Sequence, residues 1–545
     1  MTARFRPLLA TLARWSARLG WLALFGLTLD VLGSQWFMLA PPPAPGGTRC
    51  AMEEPSPGDR RCGEDRLLWA EGIWSARLVG PAWRRGWAAG ALSADLDRAL
   101  EEELLATFAR AVPNPAGRFA ILRGVMFGLP RLDRHLQPEV LEEIGGFVAA
   151  TGEHHAFLLP GFTRRVYYHA VHDIGQALVD SPLVQACTGF MAGPPATSNG
   201  HWLLARDFDF DGGRLFDQDK IVSFVVPDEG IPFASVSFAG FSGVLSGMNA
   251  RGLALAIQAG AAAPPRAPGT PMSFIAREIL EHAESLDEAE TILRARQRFV
   301  GENILVVDGA AGEAALFEVT PARVERVAVQ GSMGVSNHFR APFFADDPVN
   351  RERMAEGTTV PRLARMEELL RRHDGALDLP VAAAILQDRY GAGDVPLPRG
   401  HRHALDADIA THSVVFDATD RVLWVSRSPN TAGGYVGWNL DAALAGDIRP
   451  REVVPAGDVN ATLAVHRARG LVRAAAEAEP VEAELLAREA LDLAPGHPQA
   501  LQALAEALAA QGRWAEAVET ARQALAVPPE HAHQVRELQA LLEAE

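Results

Sequence analysis

The rhythm of apolar and polar positions changes three times along this chain. An apolar run from Leu19 to Ala40, broken by Asp30, follows Arg4, Arg6, Arg14 and Arg18. It is long enough to cross about 30 Å of hydrocarbon as one helix, with the arginines on the cytoplasmic side. A buried amphipathic helix is the competing reading, because a carboxylate in mid-membrane is costly. Pro41, Pro42 and Pro43 follow directly and make cleavage of a leader after Ala40 awkward. Residues 1–40 are read as a signal anchor, and the Pro-, Gly- and charge-rich stretch 41–65 as a linker. From Arg66 the spacing turns helical: Ser93-Ala94-Asp95 opens a stripe of Leu96, Leu100 and Leu104, and Tyr167, Val171, Ile174 and Leu178 form another.

After Cys187 the apolar runs shorten and are divided by Gly and Pro. Ile221–Val226, Ala234–Phe238 and Leu253–Ile257 read as strands. Asn303–Asp308 with Ala315–Val319, and Val414–Asp417 with Val422–Ser426, read as hairpins. Helices are predicted from Pro271–Ser273 through Leu293 and over Val360–Arg372. Strands, then helices, then strands predict an α+β body of two sheets with helices outside. From Asp458 the chain is Ala/Leu/Glu-rich and helical, and Ala490-Leu491-x-Leu493-x-Pro495 returns 34 residues later as Ala524-Leu525-x-Val527-x-Pro529. That is the tetratricopeptide period, with Ala505, Gly512, Trp514 and Ala517 at the small and bulky positions. So short an array is expected to dock on the body.

Length and charge narrow the picture. At 545 residues two to four units are expected, and a net charge of −17 argues against nucleic acid as a partner. Of three cysteines, Cys50 and Cys62 flank a polar Pro/Gly-rich stretch and could pair outside the cytoplasm, which leaves Cys187 as a free thiol.

Cys187 lies in Ala186-Cys187-Thr188-Gly189-Phe190, followed by Leu203-Leu204-Ala205-Arg206-Asp207-Phe208-Asp209. A lone thiol is usually a small buried hydrophobe. Cutting the Ala186–Cys187 bond, however, would give the thiol its own α-amine, a base with a pKa near ~8. Such a catalyst needs an acid to hold the amine, a cation to temper the sulfur, and donors for the oxyanion. Asp209, Arg206, Asn249 and Asn337 are candidates. His169, His172 and Asp173 sit at helical spacing but lack a third metal ligand, so neither metal nor cofactor is expected. His401, Arg402 and His403 read as a surface loop.

These pieces resemble the cysteine N-terminal-nucleophile (Ntn) hydrolases, a group that takes in penicillin acyl-transferase-like proteins, choloylglycine hydrolases and acid ceramidase. The matching motifs are Cys187-Thr188, Gly200–Phe210, Gly247-Met248-Asn249-x-x-Gly252-Leu253, Ser336-Asn337-His338-Phe339, and Thr411–Asp417 with Leu423–Ser426. The resemblance implies a four-layer αββα body. It also implies roles: Cys187 as nucleophile and base, Arg206 polarising the thiol, Asp209 holding the amine, and Asn337, with Asn249 second, donating to the oxyanion. A further arginine is implied, either Arg351, which is favoured, or Arg362. Asp207 departs from the family, which usually has Asn there.

The domains follow as 1–40 anchor, 41–65 linker, 66–186 helical pro-segment or α-chain, 187–457 catalytic domain and 458–545 tetratricopeptide-like tail. The expected function is a self-cleaving amidohydrolase acting on a linear N-acyl amide through a thioester. N-acyl transfer through the same thioester and an inactive scaffold are the alternatives. A peptide or protein could dock on the tail, and the body is expected in the periplasm, tethered to the inner membrane.

Overall fold

The computed structural model describes residues 38–45, 49–129, 131–156, 158–171, 173, 187–210, 213–264 and 266–543. Residues 1–37 of the expected anchor, together with His172, Ile174, Leu178 and Ala186, lie outside the described residues. Among the described residues no helix is long and apolar enough to cross a membrane. The last three residues assigned to the anchor belong to the body instead: Leu39 is buried, and its N–H donates to Thr163 Oγ1 at 3.0 Å.

Four strands occupy the stretch read as linker and early helix: β1 (Glu53–Ser56), β2 (Asp59–Cys62), β3 (Asp65–Ala70) and β4 (Ile73–Gly80). The correction has a physical cause. β1 is exposed along its whole length, as an edge strand can be when charged, so it carries no apolar period. β3 and β4 join through Glu71-Gly72, both at positive φ, the two-residue turn that matches strand twist. Cys50 and Cys62 form a disulfide, with Cα atoms 5.3 Å apart.

The catalytic part supplies β5 (Thr188–Ala192), β6 (Leu203–Asp209), β7 (Ile221–Pro227), β8 (Phe233–Ser237), β9 (Ser246–Asn249), β10 (Leu253–Ala259), β11 (Glu302–Asp308), β12 (Glu313–Val319), β13 (Val324–Ala328) and β14 (Ser332–Val335). A small ribbon, β15 (Tyr390–Gly391) and β16 (Val395–Pro396), precedes β17 (Ala410–Asp417), β18 (Val422–Ser426), β19 (Tyr435–Asn439) and β20 (Arg451–Val454). One sheet runs β1-β2-β3-β4-β7-β8-β9-β10-β11-β12-β13 and the other β14-β5-β6-β17-β18-β19-β20. The predicted hairpins are present, closing at Asp308↔Glu313 and Asp417↔Val422.

The two sheets face each other across Leu204, Phe224, Ala254, Leu305, Val414 and Phe416. On the outer face of the larger sheet, α4 (Met272–His282) and α5 (Leu286–Ala295) bury Ile275, Ile279 and Leu293 against Leu255, Ile304 and Phe317. On the outer face of the smaller sheet, α7 (Thr359–Arg372) and α8 (Leu379–Leu386) bury Met366, Leu370 and Leu386 against Phe190 and Val415. Between these pairs lies α6 (Pro348–Glu356).

The N-terminal helices include α1 (Ala82–Ala111), α2 (Pro138–Thr151) and α3 (Gly161–Tyr168), with a further helix over Pro115–Gly128 between the first two. α1 bends at Ser93, whose hydroxyl donates back to the Ala89 carbonyl at 2.7 Å; the sequence reading took this point for a helix start. α1 and α2 touch backbone to backbone. A Cβ on Gly86 would fall 1.8 Å from the Glu143 carbonyl oxygen, and one on Gly146 2.1 Å from that of Trp83.

Along α1 the buried face carries Asp97 and Glu101 as well as the leucine stripe. Arg165 pairs with Asp97 at 2.5 Å and with Glu101 at 2.8 Å, and Arg164 pairs with Glu101 at 2.5 Å. A second buried cluster ties this unit to the catalytic part. Glu143 of α2 accepts from Arg85 of α1 at 2.9 Å and from Arg277 of α4 at 2.8 Å, while Glu281 holds Arg277 at 2.9 Å. Burial alone would raise the pKa of Glu143, yet the guanidiniums of Arg277 and Arg85 outweigh it and hold the carboxyl at about 2.

The tail consists of α9 (Val459–Ala475), α10 (Pro480–Leu493), α11 (Pro498–Ala510), α12 (Trp514–Ala526) and α13 (Ala532–Glu543). Ala490 and Ala524, the two ends of the 34-residue echo, are both buried at the ends of α10 and α12.

Replacing Glu143 by Ala strands two buried guanidiniums, so Glu143→Ala is expected to lower stability by about 3–5 kcal/mol in urea unfolding at pH 7. Because the folded carboxyl titrates at about 2, below its unfolded value, its contribution is complete above pH ~4.5 and fades as pH falls toward 2. The difference between wild type and variant should therefore shrink at pH 3; a constant difference would disprove the ionised clamp.

Candidate active site

Cys187 immediately precedes β5, and β5 lies between β14 and β6. The register pairs Gly189 with Val335 on one side and with Arg206 on the other. These pairings bring Asn337, two residues past β14, and Asp209, at the end of β6, to the same end of the sheet as Cys187. Gly189 has no room for a side chain: a Cβ would stand 2.6 Å from Gln258 Nε2 and 2.7 Å from the Ala205 carbonyl oxygen.

The thiol is fully buried, and two arginines reach its residue from different elements. Arg206 projects from β6 and places Nη2 3.5 Å from Cys187 Sγ. Its other bonds go to the Ile257 carbonyl at 2.5 Å and to Ser246 Oγ at 2.8 Å, and its guanidinium stacks on Phe208. Arg362 projects from α7 and donates to the Cys187 carbonyl at 2.7 Å, to Thr188 Oγ1, and to Asn337 Oδ1 at 2.8 Å. Burial drives the Cys187 thiol above its ordinary pKa, opposed by the charge of Arg206, so in the intact chain the sulfur is held protonated.

Asp209 is buried as well, and among the described residues neither of its carboxylate oxygens has a hydrogen-bond partner. Burial pushes its carboxyl up to about 7, while Arg362 and Arg402 pull it down. Arg206 and Asp209, three apart on an extended strand, point to opposite faces and form no ion pair with each other. Asp207 shares Asp209's face and is also fully buried; burial, with the charge of Asp209 second, raises its carboxyl well above the ordinary range.

Asn337 fits the site. Its Oδ1 is held by Arg362, and its Nδ2 spends one hydrogen on the Ala259 carbonyl at 3.0 Å, leaving the other to donate. Asn249 does not fit. Its Nδ2 donates to the carbonyls of Leu280 and Ala283, and its Oδ1 accepts from the amides of Arg251 and Leu253. Every hydrogen-bonding group of that side chain is committed to holding a turn against α4, so none is left for an oxyanion.

Arg351, the favoured further arginine, is 58% exposed on α6 and paired with Asp346, whereas Arg362 bonds the Cys187 carbonyl. Both lie downstream of Asn337, and sequence distance alone could not choose between them. Helix α7, packed on the outer face of β5 and β14, made the choice.

Sequence reasoning also passed over His412 and Ser246. His412 Nε2 lies 3.3 Å from Arg206 Nη1 and 3.1 Å from Ser246 Oγ, and burial, then Arg206, keeps its ring neutral. Its place within Thr411–Asp417 was the available signal. It meets Arg206 rather than the sulfur, so among the described residues no thiol–imidazole pair forms. His169 is structural: its ring accepts from the Ser242 amide at 2.7 Å and bonds the Arg165 carbonyl at 2.7 Å.

Beside Phe208 opens an apolar cavity of about 90 Å³. Phe210, Phe216, Phe238 and Phe241 line it from the catalytic part, and Leu100 and Leu104 from α1.

Residues 196–428 match the family of acyl-coenzyme A:6-aminopenicillanic acid acyl-transferase, and residues 474–542 match the tetratricopeptide repeat. An uncharacterized protein of Archaeoglobus fulgidus is 32% identical over 130 residues, which are 24% of this chain and 22% of that protein. Three solved structures cover about half of this chain each. The N-acylethanolamine-hydrolyzing acid amidase ortholog of Caenorhabditis elegans is 17% identical over 43% of this chain and 93% of its own, with a TM-score of 0.31. A variant of conjugated bile acid hydrolase from Clostridium perfringens is 11% identical over 49% and 97%, at 0.36. Penicillin V acylase from Agrobacterium tumefaciens is 12% identical over 50% and 99%, at 0.29. Likenesses this distant add no argument of their own. Over residues 196–428, less than half of its length, this chain is similar to an Ntn-hydrolase family.

Proposed function

We propose that this protein cuts itself before Cys187 and then acts as an amidohydrolase on a linear N-acyl amide. The observation that carries the proposal is a buried carboxylate, Asp209, without a partner among the described residues, beside a thiol already contacted by Arg206 and a carbonyl already held by Arg362. A new α-amine at Cys187 would supply the missing partner by donating an N–H to it.

The chemistry then follows. In maturation the Cys187 thiol attacks the Ala186 carbonyl, the acyl group passes from nitrogen to sulfur, and water releases the new terminus. In turnover the neutral α-amine takes the thiol proton, and sulfur adds to the substrate carbonyl. Asn337 Nδ2 donates to the oxyanion while Arg206 steadies the sulfur. The tetrahedral adduct collapses as the α-ammonium returns a proton to the leaving amine. Water, deprotonated by the same amine, hydrolyses the thioester to a carboxylic acid. The aromatic cavity beside Phe208 suits an apolar acyl group. N-acyl transfer is the same sequence with an amine in place of water; the acyl-transferase family match favours keeping it as the second reading. The tail could present a docking face to a peptide or protein, as tetratricopeptide repeats do. The Cys50–Cys62 disulfide and the Arg-flanked apolar N-terminus support a body held at the inner membrane on the periplasmic side.

Mass spectrometry of the purified protein should find a break before Cys187, and Cys187→Ala should stay a single chain without amidase activity. An active, uncut wild type would sink the mechanism. The two pieces should co-elute on gel filtration, since β4 pairs with β7 in parallel from Trp74↔Ile221 to Gly80↔Pro227 and Glu143 bridges to Arg277.

The arginine assignment is checked by kinetics on N-acyl amides. Arg362→Ala should lower kcat/KM by at least ~100-fold, the scale of losing a positioned charge at a reacting centre, while Arg351→Ala stays within about twofold. Equal losses in the two variants would refute the assignment.

A further inference from the structure

The tail meets the body through a buried polar seam, and most of its bonds converge on one segment, residues 399–409. From α9, Arg469 donates to the carbonyls of Gly400 at 2.7 Å, Ala407 at 2.6 Å and Asp408 at 2.8 Å. Thr462 Oγ1 donates to Asp408 Oδ1 at 2.7 Å and receives Arg399 Nη2 at 2.6 Å. From the far end of the tail, just ahead of α13, the Pro528 carbonyl lies 2.6 Å from His401 Nε2, and Glu530 Oε1 accepts the Arg402 amide at 2.9 Å. His401 and Arg402 were expected at the surface. The structure buries His401 completely and leaves Arg402 7% and Glu530 2% exposed, because the tail covers them.

The same segment leads directly into the catalytic centre. It runs into Ala410, the first residue of β17, which pairs with Asp209 of β6. The next residue, Thr411, donates its hydroxyl to the Phe208 carbonyl at 3.2 Å, and His412 then reaches Arg206. Within the segment, Arg402 carries one of the positive charges that act on Asp209. Body-side braces gather at the other end of the segment, where Arg389 pairs with Asp406 at 2.5 Å and Thr431 donates to Asp406 at 2.6 Å. At the 400–402 end, Arg469, Pro528 and Glu530 of the tail add bonds to the local ones, His401 N–H to the Pro398 carbonyl and Ala404 N–H to the His401 carbonyl. Backbone groups buried in this way have no water to turn to when a side-chain partner is removed.

We propose that Glu530 of the tetratricopeptide-like tail is a positioning residue for the active site: it fixes residues 399–402, and through them the β17–β6 pairing that sets Asp209 and Arg206 around Cys187. The tail is then a working part of the enzyme. The proposal rests on the reading of Cys187 as the nucleophile.

The test uses the full chain, with hydrogen exchange of the amides and amidase kinetics read side by side. Glu530→Ala should speed exchange across 399–412 and 205–210 and lower kcat about tenfold, the worth of one buried hydrogen bond, with KM changed less than about twofold. Glu530→Gln keeps an oxygen for the Arg402 amide, and should restore both readouts to within about twofold of wild type. Should the Ala variant not fold, Thr462→Val removes two seam bonds, those to Asp408 and from Arg399, and should raise exchange over the same segments with about a threefold loss of kcat. Normal kcat in a folded Glu530→Ala, faster exchange confined to 459–543, or failure of Gln to rescue would each overturn the proposal. A wild type without amidase activity would instead overturn the reading of Cys187, while the exchange data still decide whether the tail fixes the strand.

Discussion

Two buried guanidiniums flank one thiol, and the rest of the catalytic part is arranged around keeping them satisfied. Removing an arginine from water costs several kcal/mol unless nearly all its N–H groups find acceptors. Arg206 finds the Ile257 carbonyl on β10, Ser246 on β9 and the sulfur itself; Arg362 finds the Cys187 carbonyl, Thr188 and Asn337. Those acceptors come from both sheets and from the turn after β14. Neither charge can be accommodated unless β5, β6, β9, β10 and β14 are all in register. The geometry around Cys187 is therefore a product of the whole two-sheet stack, and a local motif could not hold it.

The N-terminal unit takes part in the same stack. β4 extends the larger sheet through parallel pairing with β7, and α2 contributes the carboxylate that neutralises Arg277. Leu100 and Leu104 of α1 close one side of the aromatic cavity, so the segment ahead of Cys187 also shapes the apolar space beside Phe208. The sequence reading set this unit apart as a helical pro-segment. Its strands were hidden by charged, exposed residues on β1 and by the short alternation of β3 and β4, which a helical window absorbs. The tail shows a related effect at the other end of the chain. Its helices bury Leu501, Leu504, Leu508 and Leu538 among themselves, and a polar edge of the array rests against residues 399–409.

Much of the site was legible beforehand. Cys187, Arg206, Asp209 and Asn337 were named from residue chemistry and order along the chain, and the fold brings all four to one end of the β14-β5-β6 sheet. Asn249 and Arg351 were misplaced for the same reason as each other. Both are residues of the right type at a plausible turn, and which hydrogen bonds a turn residue spends on its own backbone cannot be read from spacing. His412 was quoted in a motif and given no role, since a histidine inside a strand reads the same whether it faces a core or a guanidinium.

The sequence by itself determined the α+β class, the paired hairpins, the 34-residue helical echo, and which thiol had chemistry-bearing residues after it, because these depend on local periodicity and residue type. Only the tertiary structure decided that Arg362 rather than Arg351 reaches Cys187, that Glu143 locks the N-terminal unit to α4, and that the tail braces residues 399–409. Those outcomes turn on which buried charge and which buried carbonyl meet across elements up to hundreds of residues apart. That meeting is fixed by packing and desolvation, quantities that no stretch of sequence carries on its own.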